Sequence, residues 1–496
     1  MSRARAALPG GWWASAVLGT IILIAAVIRL RLLDVPLDRD EGEYAYIGGL
    51  LLDGVPPYAG AYNMKMPGIY AVYAIILTVF GKSAAGIHLG VLAANGLSTA
   101  LVFVLGRRLA GSAAAVAAAA TFAAVSMSPV LLGIAGYAEH FVVLAVLAGT
   151  LRLLTAADMP RVLPFVESGA LFGLAFALKQ SGGLFLAFAV TYLALQPRPA
   201  TPRAFHRVGM IAWLVVGALV APIAIAVMLV LAGSFDGFAF WTFTYAWRYV
   251  SAVPLGHGLT NLVQRVGEIT PAVAFVVAAA TVGFVLVIVD RSLRSARAFL
   301  LLFLLASCGA VAVGLYFRYQ YFLLLTPAIA LLSGLTPAWA WRRLRPRAPS
   351  LAAAAAIALT VLPPAHAMYA ERARLFEASP LALSRMVYAQ NPFTESVEIG
   401  RYVRQHTTPG ARIAVIGSEP QIYFYAERRA ATGYIYTYPL MEGHPYALTM
   451  QGEMIAEIEA ERPEILVFVN MSASWLRHSD SLPAIFQWFE QYRRGF

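Results

Sequence analysis

A succession of long apolar runs, separated by short arginine clusters, constrains this chain more than any other feature. The run from about Trp12 to Leu33 is long enough to cross a bilayer. Further runs follow at about 87–106, 112–132, 140–156, 164–178, 182–197, 207–232, 270–289, 298–316, 319–341 and 350–369. A spanning helix needs about 20 apolar residues, because every backbone polar group in lipid must be satisfied within the helix. Of 496 residues, 60% are hydrophobic and only 13% are charged, against about 25% charged in a soluble domain. The mean hydropathy is +0.69. A polytopic α-helical membrane protein is therefore expected. The net charge of +11 bears first on loop orientation, and no nucleic-acid partner is expected. The single cysteine, Cys308, lies in an apolar run. It excludes an intrachain disulfide and a cysteine-based zinc cluster.

The segment 66–80 decides the topology. It is apolar but roughly fifteen residues long, short of a span. If it does not cross, Arg107/Arg108, Arg152/Arg161, Arg198/Arg203/Arg207, Arg291/Arg294/Arg297 and Arg342/Arg343/Arg345/Arg347 all share the side of Arg3 and Arg5. That is the positive-inside pattern at every turn. If it crosses, all these clusters fall outside. Residues 66–80 are therefore read as a re-entrant or juxtamembrane helix. The outcome is about eleven transmembrane helices, a cytoplasmic N-terminus and an extracytoplasmic C-terminus. No cleavable signal is expected, since no small-residue cleavage site follows the first run.

After about Glu371 the composition becomes that of a soluble domain. Thr394 to Gln405 has the pattern of an amphipathic helix. Arg412–Gly417 and Glu464–Val469 read as buried strands, with helices over Glu419–Ala426 and Tyr446–Ala460 between them. Strands alternating with helices predict a small α/β unit. The expected division is a transmembrane module, 1–370, whose first outer loop is 34–86, and an extracytoplasmic α/β domain, 371–496. Gly417 has no accompanying glycines that would make a nucleotide-binding turn. The Ala-rich runs 113–120 and 352–356 are expected to be tight helix-packing surfaces.

On this topology the unusual polar residues gather at the outer face. The first outer loop carries Asp38-Arg39-Asp40-Glu41-Gly42-Glu43-Tyr44, then Asn63-Met64-Lys65-Met66-Pro67. Such charges lie at a membrane surface or in a wet cavity. Asp40 and Glu41 fit a carboxylate base that takes a proton from an attacking hydroxyl. They equally fit the cap of a juxtamembrane helix starting near Gly42. Asp38 and Glu43 are expected to be solvated surface residues. Lys65, just before a proline that opens an apolar helix, fits a phosphate site or a snorkelling lysine. Glu139 fits a second acid or a partner for Lys179, and its neighbour His140 fits an interfacial histidine. Arg248 and Arg318, each flanked by aromatic residues, fit bidentate phosphate contacts or anchors in an interfacial belt. Tyr44, Lys179, Gln180, Tyr319, Tyr321 and His140 complete the set as accessory candidates. A base and a cluster of cations suit displacement of a phosphate leaving group, with Lys65, Arg248 and Arg318 meeting the developing charge. A donor that brings its own phosphate needs no cofactor and no metal on this logic, although a divalent ion stays open.

The ordered motifs resemble the GT-C membrane glycosyltransferases. The likeness is specifically to the bacterial family related to protein O-mannosyltransferases and to the aminoarabinose transferase of lipid A. The resemblance is carried by Asp40-Glu41-Gly-Glu-Tyr-Ala-Tyr, Asn63-Met-Lys-Met-Pro67-Gly, Phe80-Gly81-Lys82-Ser83, Gly106-Arg107-Arg108-Leu109-Ala-Gly111 and Tyr137-Ala-Glu139. It covers roughly residues 1–180, and Arg318 to Pro327 is similar to the family's late aromatic segment. The resemblance implies a GT-C fold and a polyprenyl-monophosphate sugar donor. It implies transfer with inversion to an extracytoplasmic acceptor, a glycolipid or cell-envelope glycan, at the bacterial inner membrane. It further implies that Asp40 acts as, or positions, the base, that Glu139 is a second acid, and that Lys65 contacts the donor phosphate. Many relatives read Glu-Lys-Pro-Pro where this chain has Met64-Lys65-Met66-Pro67, which removes one carboxylate. Glu139 stands where relatives often have Asp, one methylene shorter. Within the same class the alternative is a protein O-mannosyltransferase acting on Ser or Thr. From other classes come a lipid-linked sugar transporter or flippase, and a non-catalytic glycan-assembly partner. The gathering of charge at one face and the absence of an inverted repeat count against the transporter.

Overall fold

The computed structural model describes residues 12–158, 161–196 and 207–495, and Arg3, Arg5, Arg198 and Arg203 of the expected basic clusters lie outside them. The described chain is mostly helical, with three short strands. Among the described residues, eight helices are long and apolar enough to cross a membrane: Trp12–Arg31, Ala84–Ala110, Ala138–Asp158, Arg207–Leu231, Leu255–Val289, Arg291–Leu315, Tyr319–Leu344 and Pro349–Ala370. Four shorter apolar helices accompany them, Pro67–Phe80, Ser112–Ser126, Val162–Leu178 and Gln180–Leu195. The expected eleven spans correspond to the eight long helices and the last three short ones. Pro67–Phe80 has 14 residues, about 21 Å at ~1.5 Å per residue, against a hydrocarbon core of about 30 Å. The stretch 233–269, between the apolar runs 207–232 and 270–289, is itself largely helical. Leu255–Val289 runs through Pro271 and kinks at Val273, because proline removes one backbone hydrogen bond without ending a helix held by its neighbours.

The chain divides into two compact units. The first comprises Met1–Leu33, His88–Ala224 and Val253–Ala378. Its helices approach closely where side chains are absent. A Cβ on Gly169 would lie 1.9 Å from the Leu214 carbonyl oxygen, and one on Gly334 would lie 2.5 Å from that of Ala114. The Ala-rich helix Ser112–Ser126 is buried along almost its whole length, the packing that small residues permit within a membrane. Arg29, a charge buried in the first apolar helix, is satisfied by backbone. Its Nη2 donates to the carbonyls of Ser126 at 3.1 Å and Gly133 at 3.0 Å.

The second unit comprises Asp34–Ile87, Ile225–Ala252 and Ser379–Phe496. It holds a parallel sheet of three strands, β1 (Arg412–Ile416), β2 (Arg429–Ala430) and β3 (Ile465–Phe468), in the order β2-β1-β3. Ile413 pairs with Ile465, and Arg412 with Arg429. Helices Phe393–His406, Gln421–Ala426 and Ala447–Glu461 belong to the same α/β layer. Helix Arg39–Leu52, called here the acidic helix, packs between helix Gln421–Ala426 and helix Pro67–Phe80. On one side Gly42 lies so close that a Cβ would meet the backbone of Gln421 at 2.5 Å. The Ala430 N–H donates to Tyr46 Oη at 2.8 Å, and the Leu37 N–H donates to Tyr425 Oη at 2.8 Å. On the other side Gly48 approaches Tyr73 and Ala74, and the Tyr44 and Tyr73 rings meet edge-on at 5.2 Å.

Candidate functional site

The acidic helix starts at Arg39, three residues before the expected start near Gly42, because Asp38 caps it. Asp38 Oδ1 accepts from the Glu41 N–H at 2.9 Å, and Glu41 Oε2 accepts from the Asp38 N–H at 3.2 Å. This reciprocal capping box satisfies two of the amides that a helix start leaves open. Asp38 and Glu41 are both buried, 3% and 1% exposed. The expectation of a solvated Asp38 is thus corrected: a cap sits wherever its helix end sits, and this end is covered. Glu41 spends its carboxylate on the same cap.

Asp40 lies in the first turn and points elsewhere. Its Oδ1 is 3.0 Å from Lys65 Nζ, with the aspartate side chain 16% and the lysine side chain 25% exposed. Lys65 Nζ also donates to Tyr44 Oη at 3.2 Å and lies 5.3 Å from the centre of that ring. Tyr44 is four residues beyond Asp40 and therefore on the same helix face. The loop bearing Lys65 is held by Tyr58, whose Oη donates to the Lys65 carbonyl at 2.7 Å. The next helix opens at Pro67 with no side-chain cap on its first amides. The chain thus brings together Asp40, Lys65 and Tyr44, three of the expected residues.

Glu43 overturns the expectation of a surface residue. It is 0% exposed. Tyr70 Oη donates to its Oε1 at 2.9 Å, and Asn63 Nδ2 donates to its Oε2 at 2.8 Å. Asn63 Oδ1 in turn accepts from the Met64 N–H at 2.7 Å, one residue before Lys65. Burial pushes the Glu43 carboxyl up to about 8, with Lys65 pulling in the opposite direction. In the sequence a glutamate within a run of charges looks solvated. Asn63, inside the second motif, is the signal that a buried polar partner is needed.

Arg248 is exposed in the last turn of helix Ala246–Val250. It makes no ion pair among the described residues, and it helps burial lower the proton affinity of His444.

In the first unit a second group forms. Glu139 stands in the first turn of Ala138–Asp158 and is 1% exposed. Lys179, at the end of Val162–Leu178, places its Nζ 2.5 Å from Glu139 Oε1 and 4.1 Å from the centre of the Tyr321 ring. Glu139 therefore has the lysine partner that the residues allowed for, and Gln180 follows in the adjoining turn. Other candidates are directed elsewhere. Asn95 Nδ2 donates to His140 Nδ1 at 3.2 Å. Tyr319 Oη donates to Glu268 at 2.5 Å and accepts from Arg265 at 2.6 Å. Arg318 is exposed, 5.6 Å from the Tyr316 ring centre. A largely apolar groove of about 540 Å³, lined in part by Ile22, Arg29, Asn95 and Met127, contains none of the site candidates.

Chemically, the Asp40 group offers a reachable carboxylate that accepts a proton, beside two donors suited to an anionic oxygen. The Glu139 group offers a buried carboxylate paired with a part-exposed lysine. Among the described residues no three His, Cys, Asp or Glu side chains are placed to hold a metal ion.

Residues 64–230 match the family described as dolichyl-phosphate-mannose-protein mannosyltransferase. That stretch includes Lys65, Glu139 and Lys179 and excludes Asp40. No curated protein sequence matches the chain. By fold it is similar to ArnT from Cupriavidus metallidurans bound to undecaprenyl phosphate, with a TM-score of 0.60 and 15% identity over 93% of this chain and 90% of that one. It is also similar to the oligosaccharyltransferase AglB from Archaeoglobus fulgidus in complex with an inhibitory peptide and a dolichol-phosphate. There the TM-score is 0.52 and the identity 14%, over 93% of this chain and 70% of that one. At such identities the likeness is one of architecture. The chain has the ArnT-like GT-C fold, a multi-pass membrane architecture.

Proposed function

We propose that this protein is an inverting GT-C glycosyltransferase that moves a sugar from a polyprenyl monophosphate to a hydroxyl of an extracytoplasmic acceptor. The observation that carries the reading is the Asp40–Lys65–Tyr44 group, part-exposed while Glu41 and Glu43 beside it are buried. In this reading the donor phosphate takes Lys65 as its partner and frees the Asp40 carboxylate. Asp40 then removes the proton of the acceptor hydroxyl as its oxygen attacks the anomeric carbon. The bond from that carbon to the phosphate oxygen breaks, and its electron pair stays on the polyprenyl phosphate. Lys65 and the hydroxyl of Tyr44 stabilise the charge that develops there. A single displacement inverts the anomeric centre. Glu41 is assigned to the helix cap rather than to proton transfer. The exposed Arg248 and Arg318 are assigned to phosphate contact, and Glu139 with Lys179 and Tyr321 to a fixed electrostatic element. Gln180, beside Lys179, is assigned an accessory role.

The lipid phosphates bound to ArnT and AglB support a polyprenyl-phosphate donor here. The acceptor is read as a glycolipid or cell-envelope glycan. The match over 64–230 favours, as a second reading, a protein acceptor. The location proposed is the bacterial inner membrane, with the N-terminus cytoplasmic, 1–370 as the catalytic module and 371–496 extracytoplasmic.

The test is the lipid-linked sugar that accumulates in cells lacking the protein. Wild type is expected to clear it and Asp40→Asn, still present in the membrane, to leave it. Clearance by Asp40→Asn, or no accumulation in the deletion, overturns the reading. External labelling of an Arg108→Cys variant in intact cells overturns the topology.

A further inference from the structure

The α/β layer of the second unit contains a built crevice with an occupant. In the order β2-β1-β3 the chain leaves β1 toward one side and returns on the other. Open parallel sheets bind ligands where the strand order reverses in this way, outside the carboxyl ends of the strands. Here the walls are the turn after β1, Gly417–Glu419, and the segment after β3 that leads to Ser474. Ser474 Oγ accepts from the Ser418 N–H at 2.8 Å and donates to Glu419 Oε2 at 2.5 Å.

Arg39, from the acidic helix, fills this place. Its Nε donates to the Ser418 carbonyl at 2.6 Å, and its Nη2 donates to Glu419 Oε1 at 2.8 Å. Its guanidinium carbon lies 5.2 Å from the Phe393 ring centre and 5.5 Å from that of Tyr438. Glu419 is 0% exposed and Arg39 is 9% exposed. A planar cation near two aromatic rings, forked onto a carbonyl and a carboxylate, is the recognition chemistry of a guanidinium group.

We propose that the α/β layer is a guanidinium-binding module whose ligand is Arg39 of its own chain, and that this engagement sets the rotation at which the acidic helix presents Asp40. Successive helix residues point about 100° apart. With Arg39 anchored toward Ser418 and Glu419, Asp40 is turned toward Lys65. Gly42, Tyr46 and Leu37 hold the same face of the segment against the layer. Arg39 is thus a positioning residue that acts through its neighbour. The inference rests on the reading of Asp40 as the base.

The test uses the full-length protein in detergent micelles. Arg39→Ala is expected to lower kcat by about a hundredfold, the scale of an ångström's misplacement, while leaving the donor KM unchanged. Amide hydrogen exchange over residues 40–50 is expected to quicken. Millimolar methylguanidinium is expected to restore part of both properties, and neither in Arg39→Ala/Glu419→Gln, whose crevice lacks its carboxylate. If Arg39→Ala fails to fold, Arg39→Lys keeps the charge, loses the fork and gives the same changes in milder form. Unchanged exchange over 40–50, or no rescue by methylguanidinium, overturns the inference and leaves the role of Asp40 standing. Exchange that responds as expected in a wild-type protein that transfers no sugar leaves the clamp standing and overturns the glycosyltransferase reading.

Discussion

The two units each contain a lysine–carboxylate pair, and the pairs are built for different work. Lys65 and Asp40 are 3.0 Å apart, and both side chains keep some contact with solvent. Lys179 and Glu139 are 2.5 Å apart, and the carboxylate is sealed off. A part-exposed pair is worth at most about 1 kcal/mol, so either member changes partner readily. The second pair resists separation from the carboxylate's side, because Glu139 left alone stays out of water, whereas Lys179 is 23% exposed. The first pair therefore suits exchange, with a phosphate replacing the carboxylate and a proton replacing the lysine. The second suits a fixed field. Each pair joins an acid to a lysine a few dozen residues further on, and the burial of the carboxylate tells them apart.

The sharpest way to break this comparison is Asp40→Asn. Turnover is expected to fall about 10²–10⁴-fold with thermal stability unchanged. Activity within tenfold of wild type would remove the exchange role. Lys179→Met leaves Glu139 buried without its cation and is expected to lower stability by about 3 kcal/mol. The unfolding midpoint in detergent reads this, and Lys179→Met/Glu139→Leu should recover most of the loss. Glu43 supplies a pH signature. Its folded pKa, about 8, lies above its ordinary value of 4.5, so the folded state holds a proton that the unfolded chain has released. Its stabilising contribution is complete below about 4.5 and is lost as pH rises toward 8, by about 1.4 kcal/mol per unit. Glu43→Gln should flatten that slope, and an identical slope in the variant would show that other groups set it. The smallest effect belongs to Lys65→Met, expected to shift stability by less than about 1 kcal/mol while impairing donor use. A large loss of stability there would make the two pairs alike after all.

Much of the membrane architecture is legible in the order of apolar runs and arginines, because the bilayer imposes one length and one chemistry on every span. Asp40 and Lys65 stand out as candidates for a related reason, since polar residues beside apolar helices are few, and the fold pairs them. Asp38 and Glu43 are not. Whether a carboxylate near a helix start meets water depends on what covers the helix. The covers here are Tyr70 and Gln421, the latter nearly four hundred residues along the chain. Strand β2 escapes for the opposite reason. Its two residues carry no periodicity, and pairing with β1 alone makes them a strand. Glu139 falls between these cases: a partner was required, and the sequence offered Lys179 without deciding for it.

Gly42 carries a consequence beyond packing. No side chain fits between it and the backbone of Gln421 while the acidic helix stays seated on its layer. Mutational drift at this position is therefore closed for as long as the engagement persists, and it opens once the engagement is lost. Residue 42 then serves as a diagnostic letter. Among chains of this architecture, glycine there marks those whose acidic helix is seated as this one is, and a bulkier residue marks those that hold that helix by other means.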